Sequence, residues 1–142
     1  MAKTWKDSDI SLDLIKDQII AIIGYGIQGD AQANNLKDSG LKVIVGLKEG
    51  GSSWNKAKDD GHEVMSVAEA CKKADIIHIL IPDMVQSKVY KDEIEPNISE
   101  GNALAFSHAA AIYWGWIKAP DNVDVIMVAP KGPGSKVRET YL

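Results

Sequence analysis

Gly24-Tyr25-Gly26-Ile27-Gln28-Gly29 is a G-x-G-x-x-G array, and each of its glycines has a separate physical use. Gly24 makes a tight turn. Gly26 has no side chain, so the backbone there can approach a pyrophosphate. Gly29 lets the next helix pack closely on the preceding strand. The free N–H groups and the positive end of that helix then hold the phosphates. Alone the array is a weak signal, and a plain glycine-rich strand-to-helix turn would satisfy it. Here it follows the apolar run Gln18 to Ile23 and opens the helical stretch Ile27 to Ser39. Strand, glycine corner and helix inside a first β-α-β unit are the context a dinucleotide site requires.

The second strand decides which dinucleotide. Enzymes that take NAD usually carry an acidic residue about 20 residues past the glycine array, to bind the ribose 2′-hydroxyl. This strand ends Val45-Gly46-Leu47, which is not acidic, and Lys48-Glu49-Gly50-Gly51-Ser52-Ser53 follows. Lys48 can pair with a 2′-phosphate, Ser52 and Ser53 can donate hydroxyl hydrogen bonds to it, and the two glycines free further amides. Glu49 opposes this, since a carboxylate repels a phosphate. A solvated loop is the bland alternative, and charge complementarity favours NADP(H).

These residues need elements to position them. Short apolar runs alternate with amphipathic stretches along the chain. Strands are expected at Gln18 to Ile23, Lys42 to Gly46, His62 to Met65, Asp75 to Ile81, Ala103 to Ser107 and Val123 to Pro130. Helices are expected at Ile27 to Ser39, with Gly40 ending it, and at Trp54 to Asp60. A third starts at the capping box Ser66/Glu69 and runs to about Lys73. Met84 to Glu93 is a fourth and Ala109 to Gly115 a weak fifth. Pro96 to Gly101 reads as a loop and Lys131 to Gly134 as a turn, with no closing helix before Leu142. Strands apolar on both faces and alternating with helices imply an α/β, Rossmann-type, doubly wound and mostly parallel sheet with helices on both faces, built as a single domain over 1–142.

Bulk properties exclude other classes. The chain has 142 residues, 45% apolar and 25% charged, with a formal net charge of −4. A mildly acidic domain lacks the basic footprint of a nucleic-acid or anionic-membrane binder. The single cysteine, Cys71, cannot form an internal disulfide. No stretch resembles a signal peptide or a membrane span, so a cytoplasmic location is expected. Cys71 reads as a small core residue, and His62 and His78 as structural.

GYGIQGDAQANNLKDSG, VGLKEGGSSWNKA, ADIIHILIPD, AFSHAAAIYWG and VDVIMVAPKGPG, in this order and spacing, resemble the N-terminal domain of ketol-acid reductoisomerase (acetohydroxyacid isomeroreductase). The resemblance runs from about Trp5 to Tyr141. It implies a parent enzyme of branched-chain (isoleucine and valine) amino-acid synthesis. There an acetohydroxy acid such as 2-acetolactate undergoes a magnesium-dependent alkyl migration, and the product is reduced by NADPH. It implies that Tyr25, Gly26, Ile27 and Gln28 form the phosphate loop. Lys48, Ser52 and Ser53 would meet the 2′-phosphate, and Asp83 and Gln86 would border the cofactor. His108 would be the active-site histidine and Lys131 a lysine at the edge of that site. His108 also lies just past an apolar strand, where open α/β sheets bind ligands, and histidine moves protons near neutral pH. A polar strand cap and a solvated lysine are the bland alternatives for these two.

The sequence departs from the family in two ways. The family's metal carboxylates lie on helices of a C-terminal domain outside these 142 residues. Asp75, Asp83 and Asp124 show no ligand spacing, so no metal site is expected and magnesium belongs to the parent enzyme. The chain, read as a truncated domain, is then expected to bind cofactor without full catalysis, and to form a homo-oligomer through apolar surface that a partner domain would cover. Second, Ala109-Ala110-Ala111 and the aromatic Tyr113-Trp114-Gly115-Trp116 are unusual beside His108. The alanines could open space by the nicotinamide, start a helix, or, with Trp114 and Trp116, reflect engineering. A dinucleotide-binding sensor without chemistry and another Rossmann reductase, such as a 2-hydroxyacid or sugar-acid dehydrogenase, are the competing functions.

Overall fold

A computed structural model describes residues 3–142. Six strands form one sheet: Ile19–Ile23 (β1), Lys42–Gly46 (β2), Glu63–Met65 (β3), Ile76–Ile79 (β4), Ala103–Phe106 (β5) and Asp124–Met127 (β6). Their order is β3-β2-β1-β4-β5-β6 and every pairing is parallel. Parallel neighbours need crossovers, and helices supply them. They are Ile27–Asp38 (α1), Trp54–Asp59 (α2), Val67–Lys73 (α3), Asp83–Val89 (α4), Ala110–Tyr113 (α5) and Gly134–Tyr141 (α6). After α4 the chain continues through a π turn at Tyr90–Ile94 and a 3₁₀ turn at Glu95–Asn97. The expected α/β, doubly wound Rossmann architecture is what forms.

β1 shows why the sheet is buried twice over. Side chains alternate across a strand. Ala21 and Ile23 join Ile77, Ile79, Leu104 and Phe106 in a core under α3 and the π turn. Ile20 and Ile22 join Tyr25, Ala33, Val45 and Ala57 in a second core under α1 and α2. Local signals place the helix ends. Ser66 and Glu69 close the expected capping box at α3, each side chain meeting the other's backbone N–H. Gly40, at φ +84°, stops the chain after α1 in the left-handed region.

Two expectations fail. The Pro133-Gly134 turn opens a closing helix, α6, which packs along α1. A Cβ at Gly134 would lie 2.0 Å from the Ile27 carbonyl oxygen, so the helices meet at glycine contact distance. Arg138 fastens the pair, donating to Asn35 Oδ1 at 2.8 Å and to Asp38 Oδ2 at 2.6 Å. The last strand is also shorter than the run Val123 to Pro130, and every residue of β6 is exposed. On the α1 side of the sheet an apolar groove runs between Leu36 of α1 and Ile76, His78, Ala105, Ile126 and Val128 of the β4 to β6 region.

Candidate functional site

The order β3-β2-β1-β4 reverses direction between β1 and β4, and ligands of open α/β sheets bind at the carboxyl ends beside such a switch. A cleft of about 630 Å³ opens at that place. Its floor is the glycine corner, and Leu80, Ile81 and Pro82 after β4 make one wall. Lys48, Gly51, Ser52 and Ser53 after β2 make the other, with Leu47 and Trp54 adding apolar surface.

Each glycine of the corner meets a different constraint. Gly24 has φ +101°, and a Cβ there would sit 2.8 Å from Ile81 Cγ2. A Cβ on Gly29 would lie 2.2 Å from the Gly24 carbonyl oxygen, so helix and strand close on each other there. A Cβ on Gly26 would meet nothing within 4 Å. Gly26 faces the cleft itself. It is also the N-cap of α1 and gives no side-chain cap to the first turn, so the amides there remain for a ligand.

The phosphate-loop side chains have other work. The Tyr25 ring is buried beneath the corner, and its hydroxyl donates to Asp60 Oδ2 at 2.8 Å and accepts from Asn34 Nδ2 at 2.9 Å. Burial, and then the Asp60 bond, push that phenol well above its ordinary range. Lys56 bridges the same Asp60 (2.8 Å) and Asp30 of α1 (2.7 Å). Asp30 first and Asp60 next hold the ammonium's pKa up, while Lys56 and then Tyr25 hold the Asp60 carboxyl down. Gln28 donates to the Gly132 carbonyl at 2.9 Å, which ties the loop after β6 to the start of α1.

The loop after β2 leaves its polar groups free. Lys48 and Ser52 are exposed. Ser53 stands at the N-cap of α2, but its hydroxyl makes no capping bond.

Asp83 and Gln86 turn toward each other. Gln86 is buried and donates from Nε2 to the Ile81 carbonyl (2.9 Å) and to Asp83 Oδ1 (3.1 Å). Its Oε1 has no partner among the described residues. The second Asp83 oxygen lies 3.1 Å from His108 Nδ1. The exposed imidazole is thereby held at one nitrogen and open at the other. Lys131 is exposed in the loop before α6 and is absent from the cleft lining. The geometry thus brings the glycine corner, Lys48, Ser52 and Ser53 into one cleft. Asp83, Gln86 and His108 form a separate chain of contacts at its β4–β5 side.

Sequence reading missed two clusters. One is the Tyr25–Asp60–Lys56–Asp30–Asn34 network. The other centres on Ser107, whose hydroxyl donates to the Val128 carbonyl (2.8 Å). That oxygen therefore accepts from Gln32 Nε2 (3.2 Å) and from His78 Nε2 (3.1 Å), which fixes His78 as the Nε2–H tautomer. Spacing alone could not reveal either cluster, because the partners are far apart in sequence. His78 and Cys71 are buried in the core, where burial lowers the imidazole to about 4 and raises the thiol to about 12. Among the described residues no group of three or more His, Cys, Asp or Glu is placed to hold a metal ion. None of their helices is long and apolar enough to cross a membrane.

Strand order, switch-point cleft and glycine corner define a Rossmann-type dinucleotide-binding domain. Residues 14–142 match the family described as acetohydroxy acid isomeroreductase, NADPH-binding domain, and the chain belongs to that family. It is 80% identical over 142 residues to the ketol-acid reductoisomerase (NADP(+)) of Nitrosopumilus maritimus (strain SCM1), covering all of this chain and 43% of the relative. To the enzyme of the same name from Cenarchaeum symbiosum (strain A) it is 76% identical, with the same coverage. The chain therefore spans less than half the length of these relatives. A solved structure of an NADH-preferring ketol-acid reductoisomerase from an uncultured archean superposes with a TM-score of 0.91 at 48% identity. The match covers 95% of this chain and 42% of that one.

Proposed function

We propose that this chain binds NADP(H) as the nucleotide half of a ketol-acid reductoisomerase. The diphosphate lies on Gly24 to Gly29, and the 2′-phosphate on Lys48, Ser52 and Ser53. One observation carries the reading. The position without a side chain, Gly26, faces open cleft at an uncapped helix start, and the cation and two hydroxyls of the second loop line the same cleft. An uncapped helix start with bare backbone suits a diphosphate, and a lysine with two hydroxyls suits a phosphate monoester. When bound, the dinucleotide supplies the hydride for reduction of the 2-keto acid. The chain's own residues bind and orient it. Asp83 holds His108 by Nδ1 and leaves Nε2 to exchange a proton with a substrate oxygen, with Lys131 at the rim of that site. The acetohydroxy acid, the magnesium ion that its alkyl migration needs as a Lewis acid, and a place in branched-chain amino-acid synthesis belong to the parent enzyme. The 142 residues alone, in cytoplasm-like buffer with acetolactate and magnesium, are expected to bind NADPH without consuming it.

NADH is the second reading, and one observation favours it. The relative solved at 48% identity prefers NADH on the same fold, so the fold alone does not decide preference, and the NADP(H) reading rests on the loop Lys48 to Ser53. Glu49 in that loop opposes a phosphate. Calorimetric titration with NADPH and NADH side by side tests the assignment. NADPH is expected to bind more tightly, and Lys48→Ala to weaken NADPH about tenfold with little change for NADH, as for loss of one charge-assisted contact. Tighter NADH binding by the unaltered chain would overturn the assignment.

A further inference from the structure

The two phosphate-gripping segments lie on different elements, the glycine corner between β1 and α1 and the Lys48 to Ser53 loop between β2 and α2. Something must fix the distance between them. Paired β1 and β2 fix where both segments leave the sheet, with the Gly24 N–H donating to the Gly46 carbonyl at 3.1 Å, but the far end of the second loop runs into α2, which has only six residues and touches the sheet's second core chiefly through Ala57. Side chains do more. The Tyr25 hydroxyl, belonging to the corner itself, donates to Asp60 at the C-terminal end of α2. Lys56, in the middle of α2, pairs with both Asp60 and Asp30 of α1. Lys37 of α1 donates to the carbonyls of Asp60 (2.9 Å) and Gly61 (3.0 Å). His62 meets Asn34 Oδ1 at 3.1 Å and packs edge-on against the Tyr25 ring. Apart from the Lys56–Asp60 pair within α2, every bond in this set joins α2 or its end to α1 or the corner.

We infer that Tyr25 is a positioning and specificity-determining residue: through Asp60 it locks α2, and so the loop at the start of α2, at the spacing that lets one dinucleotide reach both grips. The inference rests on the NADP(H) reading above. A short helix moves as a rod, so loosening its C-terminal end displaces Ser53 at its N-terminal end. The diphosphate contacts sit on α1 and do not move with it. Loss of the lock should therefore cost the 2′-phosphate contact more than the diphosphate contact, which a merely structural tyrosine would not do.

The test uses Tyr25→Phe, Asp60→Ala and Asp60→Asn in this chain. The amide introduced by Asp60→Asn retains an oxygen that can accept from Tyr25. NADPH and NADH affinities are measured together with amide hydrogen exchange of residues 51–61 without ligand. Tyr25→Phe and Asp60→Ala are expected to weaken NADPH about fivefold, less than a direct charge-assisted contact because the lost bond reaches the 2′-phosphate only through the placement of α2, while NADH changes by less than about twofold. Exchange in 51–61 should rise by a similar factor while that of α3 stays unchanged, and Asp60→Asn should recover most of both effects. Equal weakening of both dinucleotides, or unchanged exchange in 51–61, overturns the inference. If the unaltered chain shows no preference for NADPH, the NADP(H) reading fails by itself, and the exchange data alone then decide the lock.

Discussion

A single methyl group separates two kinds of glycine in the corner. At position 29 it would have to share space with the Gly24 carbonyl, 2.2 Å away, and the obstacle is backbone that cannot swing aside. At position 26 it would meet no protein atom. Gly29→Ala is therefore expected to force α1 off β1 and to cost about 2 kcal/mol or more of stability, as overpacking does. Gly26→Ala should leave the melting temperature within about 2 °C, since φ there is an ordinary −80°, and abolish measurable NADPH binding. Thermal melts and titrations of the two variants check both. A Gly26→Ala chain that still bound NADPH would show that the diphosphate lies elsewhere. The uses of these glycines could be read from their spacing, because a motif fixes backbone constraints. Where Tyr25 and Gln86 point could not. Both fall within segments that the family resemblance ties to the cofactor, and the structure buries both side chains on partners of the protein itself, Asp60 for the Tyr25 hydroxyl and the Ile81 carbonyl for Gln86.

At the scale of elements, the Ser107 hydroxyl joins four of them. It sits just after β5, accepts from His78 of β4 and Gln32 of α1, and donates to the strand-end carbonyl of Val128 after β6. The His78 ring is held neutral, since burial keeps its pKa at about 4, below the ordinary 6.5. The unfolded chain takes up a proton near 6.5 and the folded chain only near 4. The stability due to neutral His78 is thus complete above about pH 6.5 and is lost as pH falls toward 4. Between about pH 7.5 and about pH 5 the loss should be about 2 kcal/mol. His62, lowered mainly by burial, adds in the same direction. Urea unfolding at the two pH values measures the loss, and His78→Gln should remove most of the difference; an unchanged pH dependence in that variant would assign the effect to other groups. The strands and α1 to α4 were legible because their apolar periods are long or their caps explicit. The closing helix was not. Pro133-Gly134 reads as a turn, and only contact with Ile27, over a hundred residues earlier, makes a glycine favourable at that helix start. The exposure of β6 escaped for a related reason: an apolar run implies a cover but does not say that one is present.

For the whole molecule, that uncovered edge sets the behaviour in solution. β6 presents Val125, Ile126 and Met127 to solvent, Val128 follows them, and all four are exposed. Among the described residues only β5 pairs with this strand, which leaves the hydrogen-bonding groups of its outer edge open there. Beside it lies the apolar groove over β4 to β6. Exposed, flat, apolar edges pair with other chains, and contiguous apolar patches become interfaces. A net charge of −4 over 142 residues supplies little repulsion to prevent it. The chain is therefore expected to self-associate at concentrations on the order of tens of micromolar, with the mass seen by light scattering rising above that of a monomer. Met127→Lys places a charge on the open edge, where lysine blunts pairing in natural sheets. It should shift the mass toward the monomer without changing NADPH affinity, because β6 lies beyond β4 and β5 from the glycine corner that follows β1. A chain that stays monomeric across this range, or a Met127→Lys variant that associates as the unaltered chain does, would mean that the open edge is not what joins the copies.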